Sequence, residues 1–419
     1  MDPCMRAAAL CSPANRFSAA LSTKAIDFDL IHFSGLLSLR MPFASIKSMA
    51  YLYSSRSATE LMRYPALAFG RSTFIAGMTI IVALLLSCGG EKSTPSTPTN
   101  QLLSILLDTP NSSAPTQAGI DAATSLALGT GAEAVVLTYT WSSLEAQPGQ
   151  IDLSVMRSSL SYFHGKGLKC YLGIQVINTV KREVPPDLAI TAFNDPVFIA
   201  RFHALLDAIR PLLTSNDLYL SIGNEVDVYL QANPAEWSTY LAFYDATVQY
   251  VHQTTPNIQV GVTTTFGGYS RESVQQVHAL NSSSDVVLLT YYPLGTGTQV
   301  GSANSPTADL PHMLSLADGK SVVLQEAGYP SGTLNASSEQ LQAQFVTSLI
   351  AAWRTAGNRM PLLNYFILYD FDAKTCADLD VYYGLQGDSA FISYLCTLGL
   401  RRSDGTEKPA WGAFVSASH

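Results

Sequence analysis

Eight short apolar runs, separated by longer amphipathic segments, constrain this chain more than any other feature. They occupy residues 102–108, 132–140, 168–176, 218–224, 258–266, 285–292, 320–326 and 362–370. Each is hydrophobic almost throughout, as a parallel strand covered on both faces must be. The segments between them carry the helical period. Residues 195–213 place Phe198, Phe202, Leu205, Leu206 and Ile209 on one face, and Asn194-Asp195-Pro196 supplies a cap with proline in the first turn. Residues 234–252 are similar, and 337–355 opens with Ser337 and Gln340 spaced as a capping box. Eight such alternations predict an α/β chain folded as a single (β/α)8 TIM barrel over residues 101–419. An open doubly wound sheet is the competing arrangement, but no GxGxxG follows the first run, so its usual nucleotide chemistry is missing.

Charge narrows the ligands. Of the 24 basic and 32 acidic side chains, residues 1–88 hold 8 and 4, leaving 16 and 28 for the rest. A body that acidic lacks the basic footprint that phosphate backbones need, so nucleic acid is excluded as a partner and a neutral ligand is favoured. With 47% apolar and 13% charged residues the chain can bury a large core.

A barrel builds its site where strands end. The ends of the eight runs form a rim of carboxylates, amides and aromatic rings. Tyr139, Trp141 and Glu145 follow the second run, and Gln175, Asn178 and Thr179 the third. Asn224, Glu225 and Asp227 follow the fourth, Thr264 and Thr265 the fifth, and Tyr291 and Tyr292 the sixth. Glu326 and Tyr329 follow the seventh, and Tyr369, Asp370 and Asp372 the eighth. No histidine stands at a run's end and there is no GxSxG, which argues against a Ser-His-Asp triad or a histidine metal site. No cofactor and no metal are expected. What two carboxyl groups can do unaided is cleave a glycosidic bond, one protonating the departing oxygen and the other attacking the anomeric carbon or activating water. Rings at the rim, Trp141, Tyr329 and Tyr369 among them, suit stacking on sugar faces, and Asn178 is a candidate hydrogen-bonding partner.

These residues resemble clan A of the retaining glycoside hydrolases, with Asn-Glu closing the fourth strand and Glu closing the seventh. WSSLEAQPGQID (141–152), TYYP (290–293), EAGYPS (326–331) and GLRRSDGTEKPAWGAF (399–414) are similar to phrases of endo-β-galactanases, β-mannanases and β-glucanases, in the same order. The resemblance implies Glu225 as acid/base and Glu326 as nucleophile. It implies Asn224 on the hydroxyl beside the reacting carbon, and Tyr292, or Tyr291 if the register slips, bonded to Glu326. A β-linked polysaccharide or oligosaccharide is the expected partner and a monomer the expected state. The alternatives are a surface glycan-binding protein without catalysis and a β-glucan transglycosylase.

The N-terminal hundred residues read as an address. From Met62, two arginines precede an apolar run from Phe74 to Leu86 and then Ser87-Cys88, which makes 62–88 a secretory signal too short for a membrane span. Leu-Leu-Ser-Cys resembles a bacterial lipobox, implying lipidation at Cys88 and an extracytoplasmic location, on the outer membrane or cell surface. Residues 1–61 are then an untranslated or unstructured extension, and the Ser/Thr/Pro-rich 89–100 a tether. Cys170 sits inside an apolar run as a small buried hydrophobe. Cys376 and Cys396 form either a loop-closing disulfide or two free thiols.

Overall fold

The computed structural model describes residues 100–419. The expectations for 1–61, for the signal at 62–88 with Cys88, and for the tether up to residue 99 lie outside the described residues. The rest is the expected barrel. Its strands are β1 (Leu102–Ile105), β2 (Ala134–Thr140), β3 (Lys169–Asn178), β4 (Asp217–Asn224), β5, β6 (Val287–Tyr291), β7 (Val322–Ala327) and β8 (Leu362–Tyr365). Strand β5 is broken into Gln259–Gly261 and Thr263–Thr265. Its first piece pairs with β4 and its second with β6, and all eight strands run parallel, so this divided strand closes the ring.

Helices cover the outside: α1 (Gln117–Gly129), α2 (Ser154–Gly165), α3 (Pro196–Ile209), α4 (Trp237–Thr254), α5 (Val274–Ser282), α6 (Pro306–Leu316) and α7 (Glu339–Ala356). After β8 come α8 (Ala373–Tyr383), α9 (Ser389–Cys396) and α10 (Pro409–Ser418), the last packed on α7. Helix α3 starts as expected, with the Asp195 carboxylate accepting from Val197 N and Pro196 in the first turn. The cap of α7 differs. Ser338, not Ser337, accepts from Leu341 N at 3.2 Å, while Ser337 turns away to bond Pro330 O.

The barrel interior changes character along its axis. At the N-terminal end it is filled by apolar and aromatic side chains, among them Val136, Tyr171, Tyr219, Leu288 and Val323. One layer up it turns polar. Ser104 donates to Asn364 (2.7 Å), Asn364 to Gln325 O (2.8 Å), and Ser221 and Thr263 share a bond at 2.7 Å, with Tyr171 OH 2.9 Å from Thr263. Buried hydroxyls and amides persist only when paired, so this layer is a bonded floor beneath the C-terminal mouth. Beyond Tyr365 the expected eighth strand stops. Residues 366–370 run on beside β7 and β1 (Phe366 N to Ala327 O, Leu368 N to Leu106 O) and then meet Arg401, so Tyr369 lies past the strand end.

Candidate active site

The two glutamates come to the mouth by different backbone devices. The last residue but one of strand β4 is Gly223, whose φ of +95° suits glycine and where a side chain would collide with Val226 and the Tyr240 hydroxyl. Two residues later Glu225 itself is left-handed, at φ 45° and ψ 44°. In β7 the pairing register slips. Leu289 of β6 faces Leu324, but Thr290 faces Glu326. Strict alternation from inward Val323 and Gln325 would have sent Glu326 outward; the slip re-aims it toward the axis.

Both carboxylates are partly exposed at the mouth and fully engaged at its base. Glu225 accepts from Thr290 Oγ1 (2.7 Å) and Thr179 Oγ1 (2.8 Å). Glu326 accepts from Tyr292 OH (2.7 Å), with Gln325 Nε2 at 3.3 Å. Burial raises the pKa of both. For Glu326 burial and then the charge on Glu225 push it to about 8, against the lowering bond from Tyr292. For Glu225 burial is opposed by the two threonine hydroxyls. Two interacting carboxyls in one site titrate as a pair, and both bind a proton more tightly than a free carboxyl does.

Around the pair, Asn224 is buried, and its Nδ2 donates to Asn178 Oδ1 (3.1 Å) while its own Oδ1 has no partner among the described residues. Asn178 in turn donates to Tyr382 OH (2.9 Å), which donates to Glu183 (2.9 Å). An orphaned buried carbonyl beside the mouth is a vacant acceptor for a ligand hydroxyl. Glu326 lines a small cavity together with Thr138, Gln175, Gln325, Asn364 and Phe366. Asp227, fully buried and pushed up to about 7 by burial, accepts from Thr265 N (2.9 Å) and Thr265 Oγ1 (2.6 Å), tying the β4 loop to the end of β5.

Of the residues singled out in the sequence, Glu225, Glu326, Asn224, Asn178 and Tyr292 gather here, and others do not. Trp141 is completely buried against Phe198 and Phe202, with its indole donating to Glu145 (2.8 Å). Glu145 is itself buried and paired with Arg201, so both belong to the barrel wall. Tyr291 points outward to Asp309 (2.7 Å), as its place next to inward Thr290 requires. Tyr329 stacks on Phe345 and bonds Gly301 O. Tyr369 is buried beside Arg401, and the neighbouring Asp370 is ion-paired to Lys408. These are packing residues because the strand ends alternate: the residue next to an inward one faces the helices. Thr290 and Phe366 also reach the site, and inward spacing from Leu288 signals the first. Cys376 and Cys396 are joined by a disulfide.

Among the described residues one histidine–cysteine–carboxylate cluster occurs, His164, Cys170 and Asp217, at the opposite end of β3 and β4. There Asp217 accepts from Thr214 N (2.7 Å) and lies 3.0 Å from His164 Nε2, the arrangement of a turn cap. No helix of the described residues is long and apolar enough to cross a membrane.

No protein-family model matches the chain, and no curated protein does. Solved structures do match. A GH5_18 protein from Bifidobacterium longum subsp. longum superposes with a TM-score of 0.59 at 17% identity, over 76% of this chain and 78% of that one. A variant of it has been solved in complex with Manβ1-4GlcNAc. A GH5_18 protein from Streptomyces cattleya, in complex with GlcNAc, gives 0.59 at 14% identity, over 76% and 79%. An exo-β-1,4-mannosidase from Opitutaceae bacterium strain TAV5 gives 0.57 at 18%, over 72% and 55%. At these identities the likeness is one of fold, and it places this chain among (β/α)8 barrels.

Proposed function

We propose that this chain is a retaining glycoside hydrolase that cleaves β-linked bonds in a neutral oligosaccharide or polysaccharide, with Glu225 as acid/base and Glu326 as nucleophile. One observation carries it: the carboxyl pair at the ends of β4 and β7, partly exposed at the mouth, raised together by burial and linked electrostatically. In the first step a Glu326 oxygen bonds to the anomeric carbon as the bond to the leaving oxygen breaks, and Glu225 gives that oxygen its proton. In the second, water attacks the same carbon, Glu225 takes its proton, and Glu326 is released. The division of roles rests on the Asn224-Glu225 pairing and on the Tyr292 bond that orients Glu326, since burial raises both carboxyls alike.

The fold neighbours suggest which sugars to try first, because their ligands and activities include Manβ1-4GlcNAc, GlcNAc and exo-β-1,4-mannoside cleavage. The test is hydrolysis of a panel of aryl β-glycosides, Manβ1-4GlcNAc and β-linked polysaccharides by the wild type, Glu225→Gln and Glu326→Gln. Turnover by the wild type and its loss, by about 10³-fold or more, in both folded variants is expected. Full activity in either variant rejects the assignment. Binding without cleavage marks a glycan-binding protein, and products longer than the substrate mark a transglycosylase.

We also propose that the enzyme works outside the cytoplasm, anchored by lipid on Cys88. The signal-like run before Cys88 supports this, and a disulfide between Cys376 and Cys396 suits an oxidising compartment. Metabolic labelling with a palmitate analogue, lost in Cys88→Ala, tests it.

A further inference from the structure

The excursion from β8 to the final loop borders the same mouth and has no part in the chemistry above. Helices α8 and α9 are stapled by Cys376–Cys396 and pack Cys376, Leu379 and Leu395 against Phe366, Phe371 and Leu398. Asn335 fixes α9 from the β7 side, donating to Ala390 O (2.9 Å) and accepting from Ser393 Oγ (2.8 Å). A covalent staple, a packed base and these bonds make the excursion a preorganised wall, since little ordering is left for a ligand to impose.

Two tyrosines emerge from this wall, both partly exposed. Tyr394 meets Tyr292, the donor to Glu326, edge-on at 5.8 Å. The Tyr383 phenol interacts with Thr179, the donor to Glu225. Both phenols lie within electrostatic reach of Glu225 and of Glu326. Burial and those carboxylates push them upward, and they stay neutral O–H groups at any working pH. The Tyr394 hydroxyl has no hydrogen-bond partner among the described residues. Phe391, between them at 5.2 Å from Tyr383 and 6.2 Å from Tyr394, shows that packing here asks only for a ring. A neutral phenol hydroxyl that reaches the mouth can both donate to and accept from a ligand. A sugar ring, with donors and acceptors on each hydroxyl, is the class of ligand that matches it.

We propose that Tyr383 and Tyr394 are substrate-positioning residues that bind hydroxyls of the sugar held between Glu225 and Glu326, and that the stapled excursion thereby selects which sugar is accepted. This deepens the glycosidase reading and rests on it. A site that hydrogen-bonds particular hydroxyls discriminates strongly among sugars that differ only in their placement.

The test compares kcat/KM of the wild type, Tyr383→Phe and Tyr394→Phe on 4-nitrophenyl β-mannoside, β-glucoside, β-galactoside and β-N-acetylglucosaminide, with Thr290→Val as a control acting through Glu225. At least one Phe variant is expected to lose roughly tenfold or more on the preferred glycoside and clearly less on its epimers, compressing the selectivity ratio, while Thr290→Val slows all four alike. Equal slowing of all four by both Phe variants, or no change in either, overturns the proposal. If the wild type cleaves none of them, nor any substrate of the wider panel of oligosaccharides and polysaccharides, the glycosidase reading falls by itself. The two-tyrosine site is then judged by calorimetric titration with mannose, glucose, galactose and N-acetylglucosamine. Binding weakened tenfold in a folded Phe variant sustains it, and no binding by the wild type, or unchanged binding in both variants, overturns it.

Discussion

Thr179 and Glu225 stand at the ends of adjacent strands, both in left-handed backbone conformation (φ 49° and 45°), and the threonine hydroxyl donates to the glutamate at 2.8 Å. Their backbones are bonded too, Thr179 N to Asn224 O at 2.9 Å. A β-branched residue at positive φ is strained, and strain of this kind persists where the surroundings over-determine it, most often at working sites. Its effect here is to fix one oxygen of Glu225 while Thr290 holds the other.

Both hydroxyls favour the ionised form of Glu225, so removing one raises its pKa further. Thr179→Val and Thr290→Val are each expected to move the alkaline limb of the pH–kcat/KM profile upward by about one unit, since a hydrogen bond to a charged group contributes about 1.5–3 kcal/mol. The proton on the acid is then kept to higher pH. A full pH profile of each variant checks this; a limb that stays in place or moves down contradicts the role given to Glu225.

Tyr292 acts on the other carboxyl in the same sense. Its bond lowers a Glu326 pKa that burial has pushed to about 8. Tyr292→Phe should raise it further and leave less of the nucleophile ionised, moving the acid limb to higher pH. The expected loss in kcat/KM below neutrality is roughly 10–100-fold, with a smaller deficit as pH rises. A deficit independent of pH would show that the ring matters only for packing.

Asp370 offers a contrast, because its carboxylate stands at the end of the same barrel without joining the site. Lys408, from the loop before α10, is buried and donates to it at 2.7 Å, and also to Ser331 Oγ and Thr397 O at 3.1 Å. Burial dominates at Asp370 and leaves it near 6 despite the lysine. Lys408→Met strands a buried carboxylate and is expected to cost about 3–5 kcal/mol in urea unfolding at pH 7. In the double variant Lys408→Met/Asp370→Leu most of that loss should return.

The barrel was legible because near-continuous apolar runs admit few arrangements, and the two acids were legible because each closes such a run. The faces at the strand ends were not. Tyr291 and Tyr292 are indistinguishable in a sequence, and only inward Leu288 and Thr290 decide that Tyr291 packs against the helices. Glu326 is the opposite case: counted by alternation it faces outward, and only the register slip against β6 brings it in. Trp141 followed an apolar run as a sugar-stacking ring would, but its indole is needed by Glu145 within the wall. The tyrosines of α8 and α9 could not be placed at all, because the disulfide and the path of residues 366–400 bring them to the mouth from far along the chain.

The raised pKa of Glu326 also makes a statement about stability. Its folded value, about 8, lies above the ordinary 4.5, so between those values the folded chain binds more protons than the unfolded one. Stability therefore falls as pH rises through that window. Asp227, near 7, and Asp108, near 8, are raised by burial and add to the same slope. Glu326→Gln removes one contribution, since a neutral amide has no charge to desolvate. Its melting temperature should exceed that of the wild type by several degrees at pH 8.5, with the gap closing by pH 5. Differential scanning calorimetry across pH 5–9 measures both curves; a gap that does not widen with pH means that the fold does not raise the Glu326 carboxyl.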